Sequence, residues 1–251
     1  MTVESRWRPR YKAPDPKVMT LVEHLHELRH RLIISIAAVA VGSVGGWFLA
    51  PHVIHLIDMP LCKSFGKQHC SLVVDTVYGA FTLNLKIAII LGFMFALPVT
   101  LYQLWAFMAP AFGPGANYWA PIWIISALVL FIAGAGTGYV VIPLALNFFG
   151  KFGGPEITTL VFASKYIGFI ALILLVFGLS FELPLVLVSL TAAGITSSAW
   201  LARKRTHAFF AVFIFSTIAT PGADWISPLV LGGILYLLYE LSILVSRFIG
   251  K

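Results

Sequence analysis

A chain of 251 residues that is 59% hydrophobic and only 11% charged, with a mean hydropathy of +0.93, excludes a soluble globular domain and points to a polytopic membrane protein. The net charge of +7 invites a nucleic-acid partner. With this much apolar sequence it reports instead the lysine and arginine bias of cytoplasmic segments, and no nucleic acid is expected.

Without water in the hydrocarbon, every backbone polar group must be satisfied within the chain, and none of the apolar runs alternates with the two-residue period of a barrel. The fold is therefore expected to be all-α. Residues 1–20 carry Arg6, Arg8, Arg10, Lys12 and Lys17 among Pro9, Pro14 and Pro16, and read as a disordered basic tail drawn to membrane lipid. The first apolar run is followed by no small-residue cleavage pattern, so no removable signal is expected.

The stretch Leu21 to Leu32 is dense in charge and imidazole and leads without a break into apolar sequence. As a helix it places Glu23, Glu27 and His30 on one face at i, i+4, i+7, and spaces Glu27 to pair with Arg31 in the favourable order, acid before base. It reads as a polar collar at the mouth of a membrane span. The plainer reading, which spacing by itself favours, is a solvated helix end whose arginines anchor the span to headgroups.

Spans are predicted at about 32–50, 82–106, 119–143, 166–193, 206–220 and 228–247. They form a single six-helix domain over residues 21–251, with outside loops 51–80, 144–165 and 221–227. With the N-terminus inside, the cytoplasm receives the tail's five bases, Arg29, Arg31, Arg203, Lys204, Arg205, Arg247 and Lys251, twelve in all. The outside receives five, Lys63, Lys67, Lys86, Lys151 and Lys165. That bias predicts N-in and C-in. The inside segment from Ala106 to Tyr118 carries no charge.

The loop 51–80 holds the only two cysteines, Cys62 and Cys70, and on an oxidising face a disulfide closing it is expected. His52, His55, Asp58 and His69 make only a loose constellation, and no metal is expected. The last two spans look short, which implies local thinning of the bilayer or a polar groove beside them. Prolines 98, 121, 143 and 184 are expected to end or kink spans.

Glu182, in Phe177-Gly-Leu-Ser-Phe-Glu-Leu-Pro184, is the clearest anomaly. An acid inside a span belongs at the bundle interior or a water-filled cavity, as a proton relay or a docking point for a partner's polar residue. Pro184 would free a carbonyl one turn back and make the neighbourhood polar. Glu240, close to Arg247, reads as interfacial. There is no phosphate-cradling loop, no H-E-x-x-H, and no histidine in mid-span to activate a serine, so neither catalysis nor a cofactor is expected.

Placed in order, these segments resemble the TatC family, the multi-spanning receptor of the twin-arginine protein translocase. The resemblance covers residues 20–248 and is carried by Leu25 to Leu32, Pro98 to Pro110, Phe177 to Pro184 and Thr220 to Asp224. It implies a concave, glove-like bundle in the bacterial plasma membrane that binds twin-arginine signal peptides of folded precursors on the cytoplasmic side. It also implies TatA-like and TatB-like single-span partners, further TatC copies and transport driven by the protonmotive force. Carried onto this sequence, Glu27 and Arg29 match the family's recognition residues, with Gln103 and Phe107 in the adjoining segment. Glu182 matches the glutamate of the concave face, and Pro60, Lys86 and Asp224 match positions that are mostly structural.

The sequence departs from the pattern at Ala116, which stands where the family's second recognition glutamate belongs; Glu23 is the nearest acid to share its work. Pro228 and Ile234 depart near the last span, at positions where many members have glutamine and proline. The neutral loop around Ala116 admits one alternative, a divergent assembly factor that docks partner helices without binding signal peptides; broken helices and the acid Glu182 admit another, a small proton-coupled transporter.

Overall fold

The computed structural model describes residues 21–65, 72–113, 116–150, 161–220 and 225–248; the basic tail, Cys70 and Asp224 lie outside the described residues. Its first element, α1 (Leu21–Phe65), is one helix of 45 residues. At ~1.5 Å per residue it is ~68 Å long, more than twice a ~30 Å hydrocarbon core. The polar collar and the first span are thus one rod. So is the first half of the expected outside loop, because Pro51 and Pro60 do not end the helix.

Pro60 removes the N–H that would return to the Leu56 carbonyl. The hydroxyl of Tyr139 replaces it, donating to Leu56 O at 2.7 Å, and Tyr166 donates to Ile57 O at 3.0 Å. A helix continues through proline when its neighbours satisfy the freed carbonyls, and two tyrosines do so here.

The second helix, α2 (Gly79–Met108), packs along α1 on small residues. A Cβ on Gly42 would stand 2.7 Å from the Gly92 carbonyl oxygen, and one on Gly46 2.6 Å from that of Ala88. The two backbones touch, as small-residue interfaces permit in membranes. Beyond two 3₁₀ turns, Ala109–Phe112 and Ala116–Trp119, comes α3 (Ala120–Gly150). It pairs with α4 (Ala163–Phe181), where the buried Phe177 ring lies over Gly138 and the Phe131 ring over Gly178.

The expected fourth span is broken at Glu182. Pro184 at the head of α5 (Leu183–Ala192) restarts the helix, and Glu182 itself caps both halves. After α5 a Schellman turn ends the rod: Gly194, at φ 78°, donates to Thr191 O and Ile195 donates to Leu190 O, each at 3.0 Å. The short α6 (Ser198–Arg203) starts at Ser197, whose Oγ accepts from the Trp200 N–H.

The chain closes with α7 (Arg205–Ala219) and α8 (Ile226–Phe248), in contact where Gly232 faces Phe213 and Ser216. Only one of the last two helices is short. The 15 residues of α7 reach ~22 Å, whereas the 23 of α8 reach ~35 Å and can cross a full core. Glu240 pairs with Arg205 rather than Arg247, in a fork of 2.7 and 2.8 Å.

Five helical stretches are long and apolar enough to span a membrane, and α7 is a shorter apolar helix. The described residues are otherwise nearly all helical, with one isolated bridge joining Val73 to Phe162. The main core runs through Ile87, Ile142, Ile167, Phe177, Leu231 and Leu235.

Candidate functional site

The N-terminal turns of α1 and the C-terminal turns of α2 meet in a polar node. On α1 a 3.6-residue period sets His24, Glu27 and Arg31 on one stripe. On α2 the facing residues are Gln103 and Phe107. Arg31 donates through Nε and Nη2 to Glu27 Oε1, at 2.9 and 2.5 Å, and through Nη1 to Gln103 Oε1 at 3.2 Å. The two charged side chains are only 22% and 19% exposed. Glu27 Oε2 is enclosed and takes no hydrogen bond among the described residues. The His24 ring stacks on Phe107, with centroids 4.2 Å apart and planes 17° apart.

Of the expected site residues, Glu27, Gln103 and Phe107 are brought together. Glu23 sits one turn before Glu27 and is exposed. Arg29 is also exposed, two residues on and hence about 200° around the helix from Glu27, outside the node. Sequence reasoning paired Arg31 with Glu27 but missed its bond to Gln103, 72 residues away, and the His24–Phe107 stack. No local pattern carries either.

Ala116 is buried, 8% exposed, in an aromatic cluster with Leu101, Trp105, Ala109, Trp123 and Ala127. Trp105 stacks on Phe112 at 5.2 Å and lies 5.4 Å from Trp123, whose Nε1 donates to Ser189 Oγ at 3.0 Å. A methyl group fits this place. A carboxylate there would lose its water, and the enclosed, unpaired donor of the cluster, Trp105 Nε1, is neutral.

Glu182 occupies a separate place. Its Oε1 and the neighbouring Ser180 Oγ are enclosed without a hydrogen-bond partner among the described residues. Ser180 also lines an apolar groove of about 310 Å³ between Leu183, Val212, Phe215 and Leu235. Lys86 ties α2 to α4, donating to Ser164 Oγ at 2.6 Å and Ser164 O at 3.3 Å. Pro60 is fully buried. Cys62 is disulfide-bonded, and the only other cysteine of the chain, Cys70, lies outside the described residues. Among the described residues no three of His, Cys, Asp and Glu gather closely enough to hold a metal ion.

The sequence model of the family described as Sec-independent protein translocase protein (TatC) matches residues 23–233. The chain belongs to the TatC family. It is 37% identical to Sec-independent protein translocase protein TatC of Carboxydothermus hydrogenoformans, over 94% of this chain and 96% of that one. The TatC protein of Aquifex aeolicus is 35% identical over 93% and 95%, and that of Escherichia coli 32% over 92% and 90%. A crystal structure described as the twin arginine translocase receptor TatC superposes with a TM-score of 0.76 at 32% identity, covering 91% of this chain and all of that one.

This TatC chain is therefore a component of the twin-arginine protein translocase, a transport protein rather than an enzyme. Family membership and its apolar spans make it a multi-pass protein of the bacterial inner membrane.

Proposed function

We propose that this protein is the signal-peptide receptor of its translocase, reading one arginine of the twin pair at the node between α1 and α2. The observation that carries this is that Glu27 and Gln103, from two helices, converge on one guanidinium. A carboxylate and an amide oxygen set this way accept the planar fork of an arginine and not the point charge of a lysine. Phe107 and His24 form a flat wall beside it. Glu23 offers a second carboxylate one turn away for the other arginine. The node lies on the cytoplasmic face in the N-in, C-in orientation that the basic residues favour.

Glu182, by contrast, serves TatA-like and TatB-like partner helices. An acid whose Oε1 is enclosed without a hydrogen-bond partner among the described residues, between two residues, Ser180 and Leu183, that line an apolar groove, suits a polar residue on an incoming span. Export is then driven by the protonmotive force.

Site-specific photocrosslinking tests this reading. Probes at positions 27, 103 and 116 are exposed to a precursor carrying Arg-Arg or Lys-Lys in its signal. Crosslinks at 27 and 103 that vanish with Lys-Lys are expected. Crosslinks indifferent to the arginines would favour the second reading, an assembly factor that has kept the fold without the receptor role. The buried, neutral Ala116 is what favours that alternative.

A further inference from the structure

On the premise that Glu27 takes a signal arginine, we propose that Arg31 is a resident stand-in for that arginine and sets the threshold an incoming signal must exceed. Arg31 presents three N–H groups to oxygens on two helices, the same donors a signal arginine brings. The node as built is thus already a filled guanidinium site.

Its geometry leaves no room for a second fork. Glu27 Oε1 accepts two bonds from Arg31, and Oε2 is enclosed. A bidentate guanidinium needs both oxygens in its own plane, so Arg31 must swing away before one binds. The pair is an i, i+4 contact near a helix end, and the 22% of the Arg31 side chain that faces outward gives the guanidinium a path to solvent. The vacated carboxylate and Gln103 amide then present the same acceptors to the newcomer.

Exchange of one arginine for another is nearly balanced at the node itself, so contacts elsewhere along the signal peptide decide the outcome. Exchange of arginine for lysine is unbalanced, because an ammonium cannot replace the fork. The resident arginine therefore lowers affinity for every signal by one common factor, so at a given concentration only signals that the node and the remaining contacts hold well stay bound. That gives this chain an occupancy threshold although Ala116 brings no acid to the site.

The test uses the full-length protein in lipid nanodiscs and fluorescent signal peptides bearing Arg-Arg or Lys-Lys. Wild type, Arg31→Ala, Arg31→Lys and Glu27→Gln are compared by anisotropy. Both Arg31 variants are expected to bind both peptides about three- to tenfold more tightly, with the ratio of Arg-Arg over Lys-Lys kept. Arg31→Lys keeps the charge and decides the matter where Arg31→Ala folds poorly. Unchanged or weaker Arg-Arg binding in Arg31→Lys, with binding lost in Glu27→Gln, overturns the proposal and makes Arg31 a positioning residue for the carboxylate. Full binding by Glu27→Gln overturns the premise instead, and with it the role given to Arg31.

Discussion

The Nη1 of Arg31 reaches Gln103 Oε1 at 3.2 Å, joining the first two helices at one end of the bundle through the same guanidinium that holds Glu27. A single side chain thus ties the acid on α1 to the amide on α2. Glu27→Ala removes the charged acceptor and is expected to abolish binding of a twin-arginine precursor while the bundle stays folded. Loss of a partner to a charged hydrogen bond costs about 1.5–3 kcal/mol, or roughly ten- to a hundredfold in affinity. Precursor pull-down against the wild-type protein checks it, and unchanged binding would place recognition elsewhere.

Ala116→Glu is expected to destabilise the protein rather than improve recognition. The position is 8% exposed among Trp105, Trp123 and Leu101. Burying a carboxylate that is not paired with a charge costs several kcal/mol unless the cluster opens. A lowered unfolding temperature in detergent, without tighter binding of the Arg-Arg peptide, is the expected result. A gain in affinity at full stability would show that the loop rearranges to offer the acid.

How much of this was legible in the sequence depends on the range of the interaction. Among the described residues five of the six apolar runs lie in helical stretches long enough to span, the fourth of them broken at Glu182, and the run at 206–220 is the short α7. The continuity of α1 through Pro60 was not legible, since it depends on hydroxyls from Tyr139 and Tyr166, far along the chain. The length of α8 was underestimated because Pro228 was read as a start, whereas it sits inside the first turn of a helix that begins at Ile226. Ala116 reads only as a position in an uncharged inside loop. Its burial comes from tryptophans on two helices, one before the loop and one after it, which no local pattern reveals.

Gly92→Leu should separate α1 from α2. The Gly42 and Gly92 backbones are in contact, and any side chain at 92 would run into Ser43. Overpacking of this kind costs about 1–3 kcal/mol. Because Gln103 and Arg31 lie on the same two helices, weakened precursor binding should accompany it.

Tyr139→Phe tests the repair of the proline break. It deletes the hydroxyl that donates to Leu56 O at 2.7 Å and leaves that carbonyl without its donor beside Pro60. Hydrogen bonds between membrane helices average about 0.6 kcal/mol, so a small loss of thermal stability is expected, with precursor binding unchanged because the node lies at the other end of α1. A loss of binding would mean that strain passes along the whole rod.

Glu182→Gln separates the two sites. The change keeps the size and polarity of the side chain but removes its ability to ionise. Position 182 lies at the break between α4 and α5, while the node is formed by α1 and α2, with no shared residue. Precursor binding is therefore expected to persist, and co-purification of TatA-like and TatB-like partners, or export itself, to fall. The split between those readouts carries information of its own. Lost co-purification assigns the carboxyl to holding a partner's polar residue in the groove. Intact co-purification with lost export assigns it to a step after assembly that needs an ionisable acid. Loss of precursor binding would contradict the division of labour between the sites.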